Sequence, residues 1–277
     1  MVLAIDSIRY HCEIHANHPD RPWLLMLHGF MGSGRTFSHL FEELKQVCNP
    51  VTIDLAGHGK TIAPANPVFY SVQRQKRQLF SIISRLALHP LYLYGYSMGG
   101  RLAFQLLAAK PTLFRGVMIE SAHCGIISED ERAKRKASDA SRAEEIRKNY
   151  PAFVENWQKQ SLFRAEGGTT GFGLRETMIR QNAECMAASL LGFGAGVMRP
   201  VCHQLSTLEV PTLLIAGEMD LAYLSRMETI AATNPRFKRM IASGAGHRVH
   251  QDRPEEVSDA ILHFVNRSES ADVPEES

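Results

Sequence analysis

Leu91-Tyr92-Leu93-Tyr94-Gly95-Tyr96-Ser97-Met98-Gly99-Gly100-Arg101 is the stretch that decides the fold of this chain. Its first four residues read as a buried strand, and the residues after Ser97 open an apolar helix running from Met98 to Ala109. Between them lies G-x-S-x-G, the pattern of a serine held on a sharp strand-to-helix turn above the end of a sheet. Glycines two before and two after the serine leave its flanks uncrowded in a strained turn.

Outward from this turn, short β-rich runs recur at Trp23 to Leu27, Val51 to Ile53, Val117 to Ile119 and Thr212 to Ala216. Helical patterns separate most of them, at about Thr36 to Val47 and Ser71 to Leu88, which predicts a mostly parallel, doubly wound α/β sheet. Leu3 to Ile14 alternates better and predicts an antiparallel edge hairpin. Phe237 to Ile241 and Glu255 to Val265 add a last strand and helix. The rhythm breaks from residue 121 to residue 208, where several helices rich in Ala, Arg, Lys and Glu predict a cap inserted into a core of residues 1–120 and 209–267. The first cap helix, about Glu129 to Lys148, puts Ala133, Ala137, Ala140 and Ala143 on one face and its charges elsewhere, as a solvated face would. Residues 268–277 read as a polar, acidic, flexible tail.

Composition narrows the function. With 44% hydrophobic and 22% charged residues among 277, the chain can bury a large core, which excludes disorder over most of its length. Thirty-one Lys and Arg against 29 Asp and Glu give a net charge of +2 and no reason to expect nucleic acid as a partner. Five cysteines, an odd number with no close pair, predict reduced thiols, without a disulfide framework or a zinc set. Asp6 and Arg9 interrupt the N-terminus, and no later stretch approaches the roughly 18 apolar residues of a membrane span, so a cytoplasmic protein with no membrane partner is expected.

A lone serine is a weak nucleophile and a weak base, so a carboxylate and a histidine should follow it in chain order. His247, in Ala245-Gly246-His247 after the last strand, is placed by topology over the same sheet edge. Asp220, a few residues beyond Thr212 to Ala216, is the favoured acid, with Glu218, Glu120 and Asp252 as rivals and a helix N-cap as its plain alternative role. The backbone N–H of Met98 and that of Phe30, in Leu27-His28-Gly29-Phe30, are the expected oxyanion donors.

Two phosphate-loop lookalikes fail. Gly29 to Thr36 has Arg35 where a lysine is required, and Gly57 to Thr61 has Asp54 in place of the first glycine. His11, His15 and His18 lack the acidic partner motif of a metal site, so no metal and no cofactor is expected.

Together, HGFMGSGRTF, DLAGHGKT, GYSMGG, GEMD and GAGH resemble the α/β-hydrolase superfamily over nearly the whole chain outside the insertion. Within it, Ser97 to Arg101, Arg132 to Asp139, Asn156 to Phe163, Arg180-Gln181-Asn182, Ser189 to Gly196 and Gly246 to His250 resemble the 2-succinyl-6-hydroxy-2,4-cyclohexadiene-1-carboxylate synthases of menaquinone biosynthesis. That resemblance implies a lyase that eliminates pyruvate from a small polycarboxylate, with the triad serine as base. A carboxylesterase or related serine hydrolase with the same triad is the alternative. It further implies that Tyr96, Arg101, Arg135, Trp157 and Arg180 line the pocket, with Arg132 and Arg142 competing with Arg135 for that place. Leu221, Ala222 and Tyr223 depart from the pattern, because a basic contact expected just after the acid is missing, and Glu129 stands near an expected glutamine. A monomer or weak homo-oligomer is expected.

Overall fold

The computed structural model describes residues 1–166 and 173–270. Its strands are β1 (Val2–Ile5), β2 (Ile8–Ile14), β3 (Trp23–Leu27), β4 (Asn49–Ile53), β5 (Leu91–Tyr96), β6 (Gly116–Glu120), β7 (Thr212–Gly217) and β8 (Phe237–Ala242). They form one sheet in the order β1-β2-β4-β3-β5-β6-β7-β8. β1 and β2 pair antiparallel and β2 joins β4 antiparallel, while the neighbours from β4 to β8 are parallel. The expected edge hairpin and parallel series are both present.

Both faces of the central strands are covered, which is why they read as continuous apolar runs. Alternate side chains serve two separate cores. Leu25, Leu27, Leu93, Val117 and Ile119 pack with Leu79, Leu102 and Leu106, whereas Leu24, Met26, Tyr92, Tyr94 and Met118 pack with Leu44, Val257 and Ile261. Helices α2 (Val72–Arg85) and α3 (Met98–Ala109) cover the first face; α1 (Phe41–Leu44) and α10 (Pro254–Ser270) cover the second. Each fully buried Leu, Val or Ile contributes about 1.5–3 kcal/mol before entropy is counted against it.

The helix expected over Thr36 to Val47 is instead a 3₁₀ segment, Gly34–Leu40, followed by α1. Phe37 and Leu40 are both fully buried, and a spacing of three suits the three-residue turn.

Between β6 and β7 lie α4 (Glu129–Lys148), α5 (Tyr150–Gln158), α6 (Leu174–Ile179) and α7 (Ala183–Phe193). The inward face of α4 differs from the expected alanine face. Asp139, Ala143 and Ile146 are buried, Arg135 and Arg142 are half-buried, and Ala133 and Ala137 face solvent. The helix roofs a polar cavity, so its charged residues turn inward and pair.

The cysteine reading is also corrected, since Cys124 and Cys202 form a disulfide with Cα atoms 5.1 Å apart. They are 78 residues apart in sequence, but an insertion that leaves a sheet after β6 and returns before β7 must bring its two borders together. Cys12, Cys48 and Cys185 are free and buried. Of the tail expected over 268–277, residues 268–270 continue α10, and the rest lies outside the described residues. Among the described residues no helix is long and apolar enough to cross a membrane.

Candidate active site

The turn after β5 carries Ser97 at φ 53° and ψ −108°, a left-handed backbone that costs an L-residue energy and lifts the side chain off the sheet. Gly99 permits it, since a Cβ there would lie 2.1 Å from the Leu27 carbonyl oxygen. This close approach packs the start of α3 against the end of β3, and hence against the loop holding Phe30.

Ser97 Oγ is 2.9 Å from His247 Nε2. His247 Nδ1 is 2.5 Å from Asp220 Oδ2. An ionised carboxylate only accepts, so Nδ1 carries the imidazole proton and Nε2 is left to accept from the serine hydroxyl. His247 and Asp220 are both nearly fully buried, and Asp220 occupies the N-cap of α8 (Leu221–Ala231) without giving that helix a side-chain cap. The Tyr223 ring meets the imidazole edge to face at 4.5 Å, and Tyr96 and Phe163 flank it at 5.7 and 5.8 Å.

The rival acids have other partners. Glu218 accepts from the Ser243 hydroxyl and the Gly244 N–H. Asp252 accepts from the Gly246 N–H. Glu120 pairs with His250 at 2.8 Å and with the Tyr94 hydroxyl.

Met98 and Phe30 both line the cavity above Ser97, and their N–H groups have no partner among the described residues. His28 anchors the Phe30 loop. Its Nε2 accepts from the Leu55 N–H at 2.9 Å, so Nδ1 is the donor to the Gly29 carbonyl at 2.7 Å. Burial pushes this imidazole down to about 4, which keeps it neutral.

The cavity, about 130 Å³, is also lined by Tyr96, Arg101, Arg135, Arg142, Trp157, Tyr223 and Arg248. Among the described residues, no Asp or Glu lines it. Arg101, 9% exposed, donates to the Phe193 carbonyl at 3.0 Å and lies 4.8 Å from the Phe193 ring centroid. Burial, reinforced by the nearby Arg135, pushes its guanidinium down to about 10. Arg135 and Arg142 share Asp139 Oδ1 at 2.8 and 3.2 Å, and Arg142 lies 5.7 Å from the Trp157 ring centroid. Arg132 turns back to the Ile126 and Ile127 carbonyls.

Arg180 is not brought to this cavity. Leu174 and Met178 turn the inner face of α6 toward Ser97, and Arg180, two residues after Met178, falls about 200° around the helix. It is exposed beside a separate recess that also holds Arg35 and Lys60. Tyr223 and Arg248 are lining residues that sequence reasoning did not single out as pocket residues. Their signal was adjacency, Tyr223 three residues after the acid and Arg248 one after the histidine.

A model of the alpha/beta hydrolase family matches residues 24–260. The chain belongs to that family, and its mostly parallel eight-stranded sheet has the family's fold. It is 32% identical over 246 residues, 87% of this chain and 89% of the other, to a Bacillus subtilis (strain 168) protein provisionally named 2-succinyl-6-hydroxy-2,4-cyclohexadiene-1-carboxylate synthase. The synthase of that name from Salmonella arizonae is 29% identical over 256 residues, covering 92% of this chain and 98% of that one. Among solved structures, MenH from S. aureus superposes with a TM-score of 0.87 at 27% identity, covering 96% of this chain and all of that one. The chain is an enzyme of the same superfamily, in the group of lyases formed by these synthases.

Proposed function

We propose that the protein eliminates pyruvate from 2-succinyl-5-enolpyruvyl-6-hydroxy-3-cyclohexene-1-carboxylate to give 2-succinyl-6-hydroxy-2,4-cyclohexadiene-1-carboxylate, a step of menaquinone biosynthesis. The observation that carries this reading is the buried Arg101 guanidinium beside Ser97, in a cavity that no carboxylate lines among the described residues. A cation held out of water is costly unless an anion joins it, and this substrate brings several.

In this reading His247 accepts the Ser97 hydroxyl proton as Ser97 Oγ removes the proton on the ring carbon that bears the succinyl group. The released electron pair shifts the ring double bond and breaks the bond from carbon to the enolpyruvyl oxygen. The leaving enolate takes a proton and becomes pyruvate, which restores the serine–histidine pair. Negative charge on the succinyl carbonyl oxygen develops where the Met98 and Phe30 N–H groups can donate, and one such donor is worth about 10²–10³ in rate. Asp220 holds the imidazole tautomer and stabilises the imidazolium. Localisation in the cytoplasm fits this role.

Purified protein given the precursor should release pyruvate, measured by coupled oxidation of NADH with lactate dehydrogenase. Ser97→Ala should lower kcat by about 10³-fold or more. Absence of pyruvate release above background from the wild type defeats the proposal. Steady turnover of short p-nitrophenyl esters with a serine-linked acyl burst would favour the esterase reading, which the same Ser97 to His247 geometry serves.

A further inference from the structure

Arg248 follows His247 directly and is only 4% exposed. Its guanidinium carbon lies 3.8 Å from the Phe163 ring centroid, so one face of the group is covered by an aromatic ring. Its Nη2 is buried with no hydrogen-bond partner among the described residues. Among the described residues no carboxylate forms an ion pair with it. Asp252, four residues on, spends one oxygen on the Gly246 N–H and stays beyond ion-pair distance. Arg248 lines the same cavity as Ser97 and Arg101.

Arg135 and Arg142 share the single carboxylate of Asp139, which leaves Arg101 and Arg248 as the two lining guanidinium groups without an ion-pair partner among the described residues. They reach the cavity from different elements, Arg101 from the first turn of α3 and Arg248 from the loop entering α9 (Val249–Asp252). A buried donor left unmatched is destabilising to the free protein, and its presence at the wall of an open site calls for an acceptor that arrives with the ligand. The stacked ring fixes the plane of the fork, which is the preorganisation that bidentate carboxylate recognition needs.

We infer that Arg248 is a specificity-determining anchor for a substrate carboxylate, acting beside Arg101 so that the site selects dianionic over monoanionic ligands. This rests on the reading above that the substrate is a polycarboxylate. It also supplies a basic contact in a chain that has Leu221 and Ala222 where one was expected.

The test titrates the intact protein with succinate and with acetate, following Trp157 fluorescence and heat release. Wild type should prefer succinate. Arg248→Met should weaken succinate binding about tenfold or more and leave acetate, held by Arg101, little changed. Arg248→Lys, which keeps the charge but loses the fork, should recover only part of the affinity. Arg248→Met should keep or raise the Tm, because it removes an unmatched buried charge; a purely structural arginine would lower it. Equal succinate affinity in wild type and Arg248→Met, or no succinate binding by the wild type, overturns the inference. With the full precursor, pyruvate release whose KM is untouched by Arg248→Met sinks this anchor and spares the lyase reading. Loss of succinate binding in Arg248→Met without pyruvate release by the wild type does the reverse.

Discussion

Two histidine–carboxylate pairs have their histidines three residues apart, His247 on the loop before α9 and His250 within α9, and they differ in what lies beyond the second ring nitrogen. His247 gives Nδ1 to Asp220 and meets Ser97 Oγ with Nε2 at the floor of a cavity. His250 gives Nδ1 to Glu120, but its Nε2 is buried without a partner against Tyr96 and Phe37. Composition alone cannot tell these pairs apart. A carboxylate polarises an imidazole in both, and only the one with a reacting group in reach can turn that into chemistry; the other can only add to or subtract from stability.

The largest effect expected from this contrast is on rate. Asp220→Asn keeps the shape but no longer enforces the Nδ1–H tautomer, and kcat for pyruvate release should fall by about 10⁴-fold with the fold intact. Glu120→Gln should leave kcat within about tenfold of wild type. Equal losses in the two variants would mean that the second pair also takes part in turnover, and the comparison would break.

Next in size is stability. His250→Ala removes one partner of a fully buried pair and leaves the Glu120 carboxyl with only the Tyr94 hydroxyl and the His250 backbone N–H. Such a loss costs about 3–5 kcal/mol, which urea denaturation would register as a lower midpoint at an unchanged slope. Adding Glu120→Gln to that variant should recover part of the loss, since the stranded charge is then gone. A His250→Ala protein as stable as wild type would show that the sealed pair is not held as drawn.

How far each pair could be read from the sequence follows from the same difference. Gly95-x-Ser97-x-Gly99 obeys a local steric rule, so the turn, its strand and its helix were legible, and chain order then pointed to Asp220 and His247. Glu120 appeared only as a rival acid, because nothing local reveals that His250 turns back under the sheet to meet it. The helices between β6 and β7 were legible as an interruption in the strand rhythm, but their contacts were not. The first of them buries Asp139 beside half-buried Arg135 and Arg142, a choice fixed by the cavity beneath it, and of the alanine stripe it buries only Ala143 fully. Arg180 missed the cavity for a related reason, since a short helix can carry only one side inward. The Cys124–Cys202 bridge depends on both ends of the insertion meeting, and spacing in sequence does not show that.

The smallest effect concerns histidines outside these two pairs whose titration is governed first by burial, a third kind of site. Burial pushes His28 down to about 4 and His58 to about 3, and it depresses His15, His39 and His123 in the same direction. In the unfolded chain each would titrate near 6.5. Between that pH and the folded values the unfolded state binds protons that the folded state refuses, so unfolding becomes easier as the pH falls. The stability these neutral rings allow is therefore complete above about pH 6.5 and drains away toward about pH 4, at a limiting slope of about 1.4 kcal/mol per pH unit for each histidine. Asp252, whose carboxyl is raised mainly by burial, works the other way, but only near the carboxylate range. Unfolding free energies measured by urea between pH 7.5 and 4.5 should fall steadily. His58→Gln, which removes one titrating ring beside His28, should make that fall shallower by about one histidine's share. An unchanged slope in His58→Gln would mean that water or a local opening lets this ring take up its proton in the folded state, and that it belongs with neither pair.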